Sequence, residues 1–284
     1  MDRKEVLDYL RGRAEALRKM DLLGPAGQSD ERKSSKLEEV AGFCAIILRY
    51  VRSLPAQASC IRILECSCGK SYLGFALVLL LRELEGKSAT LLGVDSNPVL
   101  IERCHTLAEA LGLENAEFVC SRIAQLRTDR RFDLVVALHA CDTATDEALA
   151  KGIELGAPLI LAVPCCQNQI RGQIKSGHAL TAMTDFGPVR YRLANLLTDA
   201  LRAQFLRSAG YHVEMDEIGS PRLTPKNLCI CARKVKRQGK TGRDREYRML
   251  RDFFQVRPKI ESYCPHVISG TQGDKTQGPG AVVD

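Results

Sequence analysis

Three short stretches of this chain concentrate side chains that can do chemistry: ECSCGKS with Cys68, LHACDTATD with His139, Cys141 and Asp142, and VPCCQNQ with Cys165 and Cys166. A cysteine in its thiolate form is a nucleophile or a soft-metal ligand. Histidine and aspartate move protons or orient an acceptor. Without C-x-x-C spacing, and with Cys165 and Cys166 adjacent, one ion shared by these cysteines is the weakest reading, and no metal ligand is assigned. Small side chains packed around a ligand and a nucleophilic thiol both stay open.

The elements around these stretches predict where they meet. IRILE, ATLLGVD, AEFVC, FDLVVAL and APLILAV read as strands separated by helical segments. Ser96 or Asn97 is placed to cap the helix that Pro98 opens, and Thr143-x-x-Asp146 has capping-box spacing. After a long helix over 189–209, YHVEMDEI and NLCICARKV form an antiparallel pair. The predicted fold is α/β: a seven-stranded, mostly parallel sheet with a terminal antiparallel hairpin.

Two amphipathic segments precede the sheet. Val6, Tyr9, Leu10, Ala14 and Leu17 share one helical face over 5–20, and Leu37, Val40, Cys44, Ile47, Leu48 and Val51 share another. The expected organisation is an N-terminal helical cap (1–55), a core (56–235), a basic helical extension (236–265) and a disordered tail (266–284). At 45% hydrophobic, the 284 residues can bury a large core. The longest apolar run, Phe75 to Leu81, is far short of the ~20 residues of a membrane span. A charged N-terminal stretch without an apolar core predicts a cytoplasmic chain, and there the twelve cysteines are expected reduced. With no Trp and 5% aromatics, a base-stacking platform is not expected.

In open α/β sheets, ligands bind beyond the carboxyl ends of the strands. The first such end, with Gly69 alone, lacks the three glycines of a dinucleotide fingerprint. Asp95, ending the second strand, is placed to accept hydrogen bonds from ribose hydroxyls. A ribose-bearing ligand without a pyrophosphate fits that pair, which favours S-adenosylmethionine over NAD.

The ordered set ECSCGKSYLGFAL, GVDSN, LHACDTATDEAL, VPCC and TPKNL resembles a methyltransferase-domain family of class I S-adenosylmethionine enzymes. Its eukaryotic members include methyltransferase-like protein 25 and the glutathione-S-transferase-C-terminal-domain-containing protein. The resemblance spans about residues 36–235 and implies a Rossmann-like class I methyltransferase fold. The family's first motif usually reads D-x-G-C-G-K-G-Y-L. Here Glu65 stands for the Asp, and Ser67 and Ser71 stand for two glycines. Carried over, Glu65, Ser67, Cys68, Gly69 and Lys70 line the methionine and ribose end of the cofactor. Asp95 holds the ribose, with Ser96 and Asn97 near the adenine. Ser121, Arg122 and Ile123 flank the adenine, and His139 and Ala140 pass under the sulfonium.

Asp142 is the expected base or acceptor-positioning group, with capping of the following helix as its rival role. Cys165 and Cys166 are the candidate thiols, as in RNA cytosine methyltransferases whose cysteine attacks C6 of a pyrimidine. That chemistry needs a lowered thiol pKa, with Lys70 or a protonated His139 as the source. The loop 167–188 is a candidate lid. Between Arg233 and Arg251, nine basic residues against two acidic ones account for the whole net charge of +7. Lys234, Lys236, Arg237, Arg245, Arg248 and Arg251 are therefore expected to grip phosphates beside the site, with RNA as the acceptor. A protein or small-molecule acceptor, or an inactive fold serving as an interaction module, are the alternatives. The sequence is silent on oligomeric state.

Overall fold

A computed structural model describes residues 2–24, 30–55, 59–174, 180–219, 226–235 and 243–268. Three helices come first: α1 (Arg3–Gly12), α2 (Ala14–Lys19) and α3 (Glu31–Val51). The helix expected over 5–20 is broken at Arg13, which leaves helical geometry with ψ at 45°. Asp30 caps α3, accepting the Arg32 and Lys33 amides.

The alternating region follows as β1 (Cys60–Cys66), α4 (Tyr72–Leu84), β2 (Ser88–Asp95), α5 (Pro98–Ala110), β3 (Ala116–Cys120), β4 (Leu134–Leu138), α6 (Thr143–Glu154) and β5 (Leu159–Val163). Two short helices, α7 (Asn168–Arg171) and α8 (Thr181–Thr184), lead into α9 (Gly187–Ser208), β6 (Tyr211–Glu217) and β7 (Leu228–Lys234). Helices α10 (Arg243–Phe253) and α11 (Ile260–Tyr263) follow. The strands form one sheet, β3-β2-β1-β4-β5-β7-β6, parallel except for β7, which is antiparallel to both β5 and β6. This is the expected Rossmann-like methyltransferase sheet with its terminal hairpin.

The pleat sorts β1 between two cores. Ile61 and Ile63 face one with Val6, Phe43 and Phe75, while Leu64 and Cys66 face the other with Leu149, Phe205 and Tyr247. The N-terminal helices thus share a core with the sheet. Helix α3 crosses under it closely: a Cβ on Gly42 would lie 1.7 Å from the Ile218 carbonyl oxygen. Farther along, Tyr50 donates to Glu214 and Arg49 pairs with Asp216.

Two expectations need correction. Thr143 and Asp146 form no capping box. Asp142 occupies the N-cap of α6 without a side-chain cap bond, and Asp146 turns inward to Arg202. The basic block leaves the sheet at the wrong end for a clamp on the strands' carboxyl ends. Because β7 runs antiparallel, Arg233 pairs with Leu159 at the start of β5, and Lys234 Nζ caps the Gly156 carbonyl at 3.2 Å. Lys236 and Arg237 lie outside the described residues. In α10, Arg248 binds Asp244 and the Ile268 carbonyl, and Arg251 binds Asp252 and Glu261, so both serve docking. Arg245 is exposed.

The chain then returns to the carboxyl edge of the sheet by another route. The Arg257 amide donates to Gln173 Oε1 at 2.6 Å, and its carbonyl accepts from Gln169 and Gln173. Tyr263 reaches Glu147 at 3.1 Å. Among the described residues, no helix is long and apolar enough to cross a membrane.

Candidate active site at the carboxyl ends of the strands

Left-handed backbone marks two of the strand ends. Ser67, Gly69 and Ser71 have φ of 51°, 56° and 52° after β1, and His139 and Asp142 have 57° and 50° after β4. Side chains other than glycine pay roughly 1–2 kcal/mol for this geometry. Such outliers cluster at functional sites. The two serines hold the backbone shape that glycine would adopt without strain.

Glu65 does not line the cleft. It is 3% exposed and lies beneath the turn, where Ser71 Oγ donates to it at 2.5 Å. Burial pushes its pKa up to about 7, against the lowering effect of Ser71 and the Gly74 backbone. Its carbonyl-end neighbours are arranged around Gly69. The Gly69 amide donates to Asp95 Oδ2 at 2.9 Å, and the Asn97 amide to Asp95 Oδ1 at 3.0 Å. Among the described residues, a Cβ on Gly69 would meet nothing within 4 Å, so the turn is open on that side. Cys104 Sγ donates to the Gly69 carbonyl at 3.3 Å. Its contact with Cys68, together with burial, pushes the Cys68 thiol pKa up. Lys70 lies 3.6 Å from Asp21 and over the Tyr72 ring.

On the next edge, Ser96 is exposed and Asn97 caps α5 through Oδ1. The Ser121 amide donates to the Asp95 carbonyl at 2.9 Å, which joins the β2 and β3 ends. Arg122 reaches Glu147 at 3.4 Å, and Ile123 is buried.

The β4 end is fixed from both sides. His139 Nε2 hydrogen-bonds Glu39 on α3, and the His139 amide donates to the Val163 carbonyl of β5 at 2.9 Å. Burial raises the Glu39 pKa, but the His139 contact and Lys36 outweigh it, leaving the carboxyl below its ordinary value. His139 Nδ1 is buried with no hydrogen-bond partner among the described residues. Ala140 is buried, its carbonyl accepting from Thr145. Asp142 Oδ1 accepts the Gln169 amide at 3.1 Å, tying the β4 loop to the β5 loop.

Beneath this loop lies Arg202, 1% exposed. It binds Asp146 through Nε at 2.9 Å and Nη2 at 3.1 Å, Asp199 at 3.2 Å, and the Asp142 carbonyl at 2.7 Å. Burial keeps the Asp199 pKa above its ordinary value although Arg202 opposes it. Glu39 and Arg202 are the residues that sequence reasoning missed. Each sits inside a helix, Glu39 one hundred residues from His139 and Arg202 more than fifty from Asp146 and Asp142.

The β4 and β5 ends bring Cys141 and Cys165 together, their sulfurs 3.3 Å apart, with Cys166 Sγ 3.7 Å from Cys165. Burial and the contact with Cys141 push the Cys165 thiol pKa up. Neither Lys70, which faces Asp21, nor His139 Nε2, which faces Glu39, pairs with it. Among the described residues, the thiol has no cationic partner of the kind a nucleophilic role needs. Cys68, by contrast, is buried with Cys104 and outside this group.

Residues 35–173 match the family model of a methyltransferase domain. No curated protein matches the chain. Among solved structures, magnesium protoporphyrin IX methyltransferase from Synechocystis PCC 6803 with bound SAH is 14% identical, with a TM-score of 0.48 over 83% of this chain and all of the other. An rRNA methylase from Streptococcus thermophilus is 9% identical, with a TM-score of 0.43 over 68% and 96%. A SAM-dependent methyltransferase from Aquifex aeolicus is 13% identical, with a TM-score of 0.42 over 73% and 100%.

S-adenosylmethionine is the cofactor that the matched methyltransferase domain supports, and the β1 and β2 ends fit it. Each Asp95 oxygen accepts one backbone amide. A carboxylate has about four acceptor positions, so two remain for ribose hydroxyls. The space over Gly69 is open beside them.

Proposed function

We propose that this chain is an S-adenosylmethionine-dependent methyltransferase that acts on RNA in the cytoplasm. Its finer kinship is with the family that includes methyltransferase-like protein 25 and the glutathione-S-transferase-C-terminal-domain-containing protein. The reading rests on one observation above others: Asp95 is held by the Gly69 and Asn97 amides with acceptor positions to spare.

When bound, the cofactor supplies an electrophilic sulfonium methyl group. The chain's own task is alignment, because an in-line displacement depends on distance and angle. Asp95 orients the ribose, and the open Gly69 turn admits the cofactor's edge. The Glu39 contact fixes the His139 ring at the floor of the site. Asp142, steadied by Gln169 through one oxygen, directs the other to the acceptor and takes its proton where the acceptor must lose one.

An anionic acceptor is favoured by the segment after β5. A cavity of about 450 Å³ there is lined by Asn168, Arg171, Ile174, Arg190 and Tyr191. The Arg171 guanidinium and the Lys226 ammonium lie 5.5 and 5.1 Å from the Tyr191 ring centre. This basic group replaces the β7 end as the surface expected to meet phosphates.

The test is incubation with methyl-labelled S-adenosylmethionine and fractionated cell RNA and protein. Label in RNA, lost in Arg171→Ala/Arg190→Ala, is expected. Label confined to protein or small molecules overturns the acceptor, and no label in any fraction overturns the enzyme.

A further inference from the structure

We propose that Cys141, Cys165 and Cys166 form a three-thiolate site for a soft divalent cation, zinc(II). The site does not depend on the methyltransferase reading. All three sulfurs lie within 4.8 Å of one another, with closest separations of 3.3 Å and 3.7 Å. Tetrahedral zinc with Zn–S bonds of about 2.3 Å holds its sulfurs roughly 3.8 Å apart. The two closest separations lie at or just under that edge, and the third is no longer than 4.8 Å, so small side-chain adjustments bring the three sulfurs onto one ion.

Adjacent cysteines on a strand would point to opposite faces and could not share an ion. Strand β5 ends at Val163, however, so Cys165 and Cys166 lie beyond the pleat, where alternation no longer applies. Cys141 comes from β4's loop, between left-handed His139 and Asp142. That unusual backbone carries its thiol across to the β5 loop. Cys141 and Cys165 both lie against the His139 carbonyl, at 3.8 and 3.6 Å.

Apolar packing does not account for the group. Cys44, Cys66, Cys229 and Cys231 are buried, as packing cysteines are, but Cys141 is exposed and Cys165 and Cys166 are partly so. An ion can reach them. Binding releases the thiol protons to solvent as three S–Zn bonds form. Three protein ligands leave zinc's fourth position to water or an external ligand, the arrangement of an open rather than a closed structural site.

The experiment uses the full chain, purified under a reductant that does not bind metal, and measures metal by elemental analysis. Cobalt(II) replacement adds a spectroscopic readout of sulfur ligation. About one zinc per chain is expected, with thiolate-to-cobalt charge-transfer bands. Cys141→Ser, Cys165→Ser and Cys166→Ser should each lower zinc affinity at least tenfold and weaken those bands. Cys229→Ser, at a buried cysteine outside the cluster, should change neither. Folding of each variant is checked by circular dichroism, and a variant that does not fold is replaced by the corresponding Ala. Reduced wild-type protein that binds no zinc at micromolar concentration overturns the site. So does a folded Cys166→Ser protein with unchanged affinity and bands, because it removes the three-thiolate set.

Discussion

Glu39 and His139 are one hundred residues apart in sequence, and the carboxylate of one holds the ring of the other at the end of β4. This contact joins helix α3 to the floor of the site. It ties an N-terminal helix to the end of β4. Glu39→Ala is expected to weaken S-adenosylhomocysteine binding by roughly tenfold, the value of one charge-assisted hydrogen bond. Thermal unfolding should show the variant folded, since Phe43, Cys44 and Ile47 of α3 keep their burial.

Glu65 makes stability depend on pH. Its pKa is about 7 in the fold against an ordinary 4.5, so the native state holds the proton more tightly than the unfolded chain. The stabilisation is complete below pH 4.5 and is lost as pH rises through 7. At roughly 1.4 kcal/mol per pH unit, its full size is on the order of 3 kcal/mol. Glu65→Gln, which stays neutral, should flatten this part of the profile and be more stable than wild type at pH 8. Denaturant titrations across pH 4–8 measure both.

The two left-handed serines should respond oppositely to glycine. Ser67→Gly relieves backbone strain but adds unfolded-state entropy, for a net gain of about 0.5 kcal/mol. Ser71→Gly relieves the same strain yet removes the hydroxyl that serves buried Glu65, for a net loss of about 1–3 kcal/mol. Equal shifts in unfolding midpoint for the two variants would contradict this division of roles.

Arg202→Met is expected to destabilise the chain by about 3–5 kcal/mol, because Asp146 and Asp199 are left buried without their cation. The triple change with Asp146→Asn and Asp199→Asn should recover much of that loss in denaturant unfolding. Without such recovery, the network would be acting through packing alone.

Much of this fold is legible in the sequence because its signals are local. AEFVC coincides with β3, and the other strands begin or end within two residues of their apolar runs. Asn97 and Pro98 open α5 as their residue types dictate. The site is legible where it depends on strand ends, as at Asp95, Gly69 and the cysteines that converge from β4 and β5. It is illegible where one residue crosses the fold. Nothing near Glu39 marks His139, and nothing near Arg202 marks Asp146. Thr143 has the spacing of a cap, but the left-handed turn at Asp142 and the pull of Arg202 on Asp146 take that geometry away. Composition marks the basic block without showing where it lies, and the antiparallel direction of β7 puts Arg233 and Lys234 at the far edge of the sheet.

The most direct test of the central claim is calorimetric titration of wild type and Asp95→Ala with S-adenosylhomocysteine, with NAD as the comparison ligand. Wild type should bind S-adenosylhomocysteine and not NAD. Asp95→Ala should bind the same ligand ten- to a hundredfold more weakly, as expected for about 1.5–3 kcal/mol of lost hydrogen bonding to the ribose. Binding of NAD without S-adenosylhomocysteine, or an Asp95→Ala affinity equal to wild type, would contradict the account.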